Sequence, residues 1–188
     1  MSQTEWWASE SFWRKTAIWV TAGSFVALIF LTLDSMSAIT AGSKRVPAYS
    51  VVNQRIDYVF DEKRNFQVPV IGVEEPLFGK KLTEQEAEAL VSHGKLTTQA
   101  KNCMNCHTLL GNGAYYAPDL TKSWLDPSWG SKEVREQQMV EFLMNPQDRL
   151  HNSIGRRMPN LGITEAEARA TVAFLKWMSS IDTNGFPY

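Results

Sequence analysis

Cys103-Met104-Asn105-Cys106-His107 constrains this chain more than any other stretch. Two cysteines two residues apart, with a histidine directly after the second, place two thiols where they can add to the two vinyl groups of one haem. The imidazole then reaches the iron. The chain has only two cysteines, and both are used here. None is left for a disulfide or for a four-ligand zinc site. The expectation is haem c, covalently held by Cys103 and Cys106, with His107 as an iron ligand.

A second feature limits where such a chain can live. From Thr16 to Leu33 it reads TAIWVTAGSFVALIFLTL, roughly 18 residues without a charge, which at 1.5 Å per residue nearly crosses a hydrocarbon core. This reads as one transmembrane helix. A cleaved signal peptide is the rival, since Arg14 and Lys15 precede the run and small residues follow it from Ser35 to Ser43, but the run exceeds a normal h-region. Trp6, Trp7, Trp13 and Trp19 crowd its amino-terminal side, either at headgroup depth or against a partner's helices. Arg14 and Lys15 are balanced by Lys44 and Arg45, so charge does not set the orientation. With 188 residues, 21% of them charged, and a net charge of −1, the remainder suits one small domain. No basic run or block of like charge points to nucleic acid.

Three segments are expected: 1–37, an N-terminus and transmembrane anchor, the terminus cytoplasmic if the haem is attached on the outer side of the membrane as in c-type cytochromes; 38–82, extended or irregular; and 83–188, a globular haem domain. In the middle segment Pro47, Pro69 and Pro76 argue against a long helix. Val51 to Phe60 and Phe66 to Val73 suit short extended runs, as a small hairpin or as an arm lying on another subunit, with Pro69 confined to an edge strand. Thr83 with Glu86 is a capping box that opens a helix carrying Ala87, Leu90 and Val91 on one face, bent or not at Gly94. His93 on that helix reads as a surface or packing residue. After the cysteines HTLLGNGAYYAPDL is a loop. Ser131 can cap a helix over Lys132 to Asn145 with Val134, Met139, Phe142 and Leu143 as its apolar residues, and Pro146 ends it. Thr164 with Glu167 opens the last helix, whose stripe is Ala168, Val172, Leu175 and Met178. This order is that of a class I cytochrome c, so the fold class expected is all-α, an N-terminal transmembrane helix followed by a class I cytochrome c domain.

The second iron ligand expected is Met158, in Arg156-Arg157-Met158-Pro159 before the final helix. His/Met ligation raises the reduction potential. The alternative is that Met158 is a loop residue and the iron takes His151 or stays open, while Met139 and Met144 fall on a helix and read as core. Arg156 and Arg157 either pair with haem propionates or are solvated. No nucleophile or acid/base pair is visible, which fits an electron carrier.

The loop CxxCHTLLGNGAYYAPDL, the RRMP segment and the ending FLKWMSSIDTNGFPY resemble the small cytochrome c component of the cytochrome c-dependent nitric oxide reductases, over the anchor helix and roughly Ala89 to Pro187. The resemblance implies an electron-transfer subunit that is not catalytic alone. It implies a large multi-helix catalytic subunit with haem b as partner, and a soluble periplasmic cytochrome c or cupredoxin as donor. The haem domain is then in the periplasm of a bacterium, with the single span in the cytoplasmic membrane. It also implies that the backbone carbonyls of Gly113 and Tyr115 help bind calcium at the subunit boundary, where oxygen-only ligation suits a hard cation; read alone, the glycines merely allow a turn. A cytochrome c component of an oxygen-reducing haem-copper oxidase, a free-standing membrane-tethered electron shuttle and a haem sensor are the rivals. The YYAPDL loop and the SSIDTN ending favour the reductase.

Overall fold

The apolar run near the start folds as one helix, α1 (Glu10–Thr40). In a computed structural model that describes residues 6–40, 45–146 and 156–187, its stretch Glu10–Ala38 is long and apolar enough to cross a membrane. At 1.5 Å per residue a helix of 31 residues outruns a hydrocarbon core of about 30 Å, leaving charged Arg14, Lys15 and Asp34 towards its ends. Trp6 packs edge-on to Phe12 at 4.7 Å, Phe12 meets Trp13 at 5.5 Å, and the Trp13 indole donates to the Trp7 carbonyl. The rings near the helix start therefore form a local cluster. Lys44 and the end of the small-residue stretch that precedes it lie outside the described residues.

From Val46 onward the chain forms one compact unit. Its frame is α2 (Glu84–Ala100), α3 (Lys132–Met144) and α4 (Glu165–Ser179). Both capping boxes form, with Thr83 and Glu86 starting α2 and Thr164 and Glu167 starting α4. Ser131 occupies the N-cap of α3 without a side-chain capping bond. The stripe Ala168, Val172, Leu175 and Met178 is buried, but burial on α4 runs without a break from Ala170 to Lys176, so α4 is the central helix. Ala87, Val91, Trp124, Met139 and Val140 pack against it, and His93 stays on the exposed face of α2. Gly94 does not bend α2. It lets the two helices touch, since a Cβ there would sit 2.0 Å from the Ala170 carbonyl oxygen and 2.8 Å from the Phe174 Cβ.

The expectation of an all-α chain takes one correction. The chain is mostly helical, but β1 (Gln54–Asp61) and β2 (Phe66–Glu74) form an antiparallel hairpin, and β3 (Thr108–Leu109) pairs with β4 (Asn112–Gly113). Of the two readings of the middle segment, the hairpin is the one the structure has. A two-stranded sheet has only edge strands, which is why Pro69, opposite Tyr58, is tolerated. The segment is also tied to the helices. The Asn53 side chain donates to Leu82 O and accepts from Leu82 N, both at 2.8 Å. Glu84 accepts from the Tyr49 and Ser50 amides at 2.8 and 3.0 Å, and its hydrogen bonds to Ser50 and Tyr49 hold its carboxyl below the ordinary range. Trp177 stacks on Tyr49 at 5.3 Å, and the Tyr58 hydroxyl donates to Ser179 O at 2.9 Å.

Lys176 is fully buried inside this frame, donating to Glu75 O at 3.0 Å with its ammonium 5.1 Å from the Trp124 ring. Burial pulls it down to about 8, while the Glu136 and Glu75 carboxylates oppose that shift and Arg135 adds to it. Glu136, which accepts from Phe78 N at 2.7 Å, is raised by burial. An unfolded lysine keeps its proton to about pH 10.5, so between that pH and 8 the unfolded chain binds more protons, and stability rises with pH by up to about 3 kcal/mol. Tyr58, pushed up to about 12 mainly by burial, opposes this above pH 10. Lys176→Met should flatten the rise between pH 8 and 10 in denaturant unfolding, and a slope equal to the parent's would contradict this assignment.

Candidate haem-attachment site

The end of α2 delivers the chain to the cysteines. Asn102 adopts φ 54, a left-handed conformation that asparagine tolerates, and reverses the chain into a single 3-10 turn, Cys103–Asn105. His107 N and Cys106 N both donate to Cys103 O, at 3.0 and 3.2 Å, so the motif is a closed knuckle. Cys103, Cys106 and His107 are half-buried, and both cysteines are free thiols. Burial holds the Cys103 thiol above its ordinary value.

The loop that follows folds back over this knuckle. Ala114 N donates to Met104 O at 3.0 Å and Ala117 N to Cys106 O at 2.8 Å. Gly113, with φ +122, is needed for that approach: a Cβ would lie 2.2 Å from His107 O. The two ends of the loop are joined by Leu120 N to Thr108 O and by Leu110 N to Thr121 Oγ1, both at 2.8 Å, with Thr121 fully buried. Its most consequential contact is between His107 Nδ1 and Pro118 O, at 2.7 Å. A carbonyl only accepts, so Nδ1 carries the proton and Nε2 keeps the lone pair that binds a metal.

Met158 is partly buried against the main hydrophobic core. The loop that carries it is fastened on both sides of the cysteine knuckle. Arg156 donates to Tyr116 O and lies 4.6 Å over the Tyr116 ring, beyond His107 in sequence. Lys101, two residues before Cys103, donates to Gly162 O at 3.1 Å and pairs with Glu167 at 3.5 Å. Both arginines are exposed, and Arg156 is engaged by the loop. His151, the alternative ligand, lies outside the described residues. Gly113 and Tyr115 are both exposed, and the Tyr115 hydroxyl donates to Gly111 O at 3.3 Å.

Two thiols in one turn and an imidazole whose free nitrogen is selected by a backbone acceptor fit a covalently held haem, and the loop that carries Met158 is fastened to residues on either side of that turn. Sequence reasoning missed Pro118, Thr121 and Lys101. Pro118 acts through its carbonyl, and Lys101 and Thr121 act across a fold that no local pattern describes.

Residues 91–179 match the family model of cytochrome c. The chain is 35% identical over 117 residues to the C subunit of nitric oxide reductase from Stutzerimonas stutzeri, covering 60% of this chain and 75% of that one. It is 34% identical over 110 residues to the C subunit of nitric oxide reductase from Paracoccus denitrificans, covering 57% and 71%. The corresponding protein of Halomonas halodenitrificans is 31% identical over 110 residues, with the same coverage.

Proposed function

Since the chain belongs to the family of nitric oxide reductase C subunits, we propose that it is the membrane-anchored electron-transfer component of such a reductase, taking electrons from a soluble periplasmic cytochrome c or cupredoxin. It passes them to haem b of a large catalytic subunit, where nitric oxide is reduced to nitrous oxide. The observation that carries this reading is the pairing of the cysteine knuckle with a Met158 loop fastened at Lys101 and Tyr116. Those residues fit a covalently held haem, the group that would carry the electron.

Bound haem c supplies a one-electron couple. The chain's own residues hold and tune it. The Cys103 and Cys106 thiols would hold the haem through its vinyl groups, and His107 would bind iron through Nε2, with Nδ1–H kept on Pro118 O. Met158, partly buried beside the core, would supply the second iron ligand. The Glu10–Ala38 helix anchors the chain, and the cysteine end faces the periplasm. The Gly113 and Tyr115 carbonyls, on the exposed loop, would share a calcium ion with carboxylates of the large subunit, oxygen-only ligation suiting a hard cation. Calcium retained by the separated chain in metal analysis would contradict that shared site.

The ligand assignment is tested spectroscopically. The oxidised protein should show a thioether-to-iron band that disappears in Met158→Ala while the haem stays attached; its survival in that variant would exclude Met158.

A further inference from the structure

The β1–β2 hairpin and the C-terminal segment both lie outside the residues that match the cytochrome c model, yet they are bound to each other. Arg64, in the turn between β1 and β2, donates to both carboxylate oxygens of Asp182 at 2.7 and 3.1 Å and to Asn184 Oδ1 at 2.8 Å. Its guanidinium also lies 4.4 Å over the Phe66 ring. Gly185, with φ +84, brings the tail down on that ring: a Cβ there would be 2.7 Å from the Phe66 Cβ. The side chain of Phe186 then rests on Gly111, where an added Cβ would meet its ring at 3.5 Å. Lys122 donates to Pro187 O at 3.2 Å.

Gly111 belongs to the loop over the cysteine knuckle. It follows Leu110 in the turn joining β3 and β4, where the two residues have φ 51 and 79. The same closed loop contains Gly113, which lies on His107 O, and Pro118, which accepts from His107 Nδ1. The tail is thus seated on the hairpin at one side and on the loop that orients His107 at the other.

We propose that Arg64 is a positioning residue for His107: by fixing Asp182 and Asn184 it seats Phe186 on the 107–121 loop and Pro187 on Lys122 just beyond it, and keeps the Pro118 carbonyl on Nδ1. This rests on the reading of His107 as the iron ligand. A ligand histidine that donates through its other nitrogen is more basic, and a more basic ligand favours the ferric state. Loosening the tail therefore raises the reduction potential and exposes the Nδ1 proton to exchange.

The full haem-loaded chain, purified in detergent, is compared with Arg64→Ala, with Phe186→Ala in case the first variant does not load haem, and with Lys81→Ala, which removes an exposed pair with Glu74. The midpoint potential is measured by redox titration and the exchange of the His107 ring proton by NMR on the reduced protein. Arg64→Ala and Phe186→Ala should each exchange on the order of tenfold faster and titrate at a higher potential. Lys81→Ala should match the parent, and reversing the pair as Arg64→Asp with Asp182→Arg should return both readouts towards it. A lower unfolding midpoint with unchanged potential and exchange would reduce Arg64 to a structural role and overturn the proposal. A parent protein carrying haem but lacking histidine ligation would instead remove the reading beneath it, and the proposal with it.

Discussion

Replacing both Cys103 and Cys106 by alanine should give a full-length chain with no denaturant-resistant haem stain. These are the chain's only cysteines, and they sit in one 3-10 turn whose amides close on the Cys103 carbonyl. Neither loss has another thiol to replace it. Each single replacement should leave one thioether and a weaker attachment. The turn itself does not depend on the sulfur atoms, because Asn102 reverses the chain and Gly113 closes the loop through backbone contacts. Under the proposed ligation, His107 and Met158 would still bind the iron, but such bonds do not survive denaturation. Normal staining after the double replacement would refute covalent attachment at this motif.

The second large effect is at Gly94, where two physical terms have opposite signs. Helix propensity alone predicts that Gly94→Ala, inside α2, stabilises the chain by about 1 kcal/mol. Packing predicts the reverse. The new Cβ would lie 2.0 Å from the Ala170 carbonyl oxygen and 2.5 Å from its carbon, and both belong to the backbone of a buried helix. Relief requires α2 and α4 to separate, with an overpacking cost of about 3 kcal/mol, so the net result is a destabilisation of about 2 kcal/mol and a lowering of Tm by several degrees. A variant as stable as the parent in calorimetry would mean that the helices do not cross here.

How much of this was legible in the sequence follows from the range of each interaction. The cysteine motif, Thr83 with Glu86 and Thr164 with Glu167 act within a few residues, and all were readable as patterns. Gly94 was readable as a helix glycine, but its reason is a contact with α4, and the bend considered for it is not there. The middle segment left a hairpin and an arm open because its β-branched residues suit both. What decides is the pairing of β1 with β2 and the bonds to Leu82, Ser179 and Asp182, none of which leaves a local mark. Lys176 is hidden for a related reason: a lysine beside an apolar stripe reads as solvated, and only the surrounding Trp124, Glu75 and Glu136 show it buried. Residue types single out Cys103, Cys106, His107 and Met158 as candidates, whereas the Pro118 carbonyl and the fastening of the Met158 loop by Lys101 and Arg156 are tertiary.

In the proposed function, electrons reach the reductase through this chain. Rapid mixing of the oxidised complex with a reduced soluble donor, followed at wavelengths that separate c-type from b-type absorbance, tests it directly. In the parent complex the c-type signal should be reduced before the b-type signal. In a complex assembled with Cys103→Ala and Cys106→Ala, b-type reduction by the same donor should fall to the background rate. Reduction of haem b at the parent's rate in that complex would contradict the account and make this chain an assembly subunit.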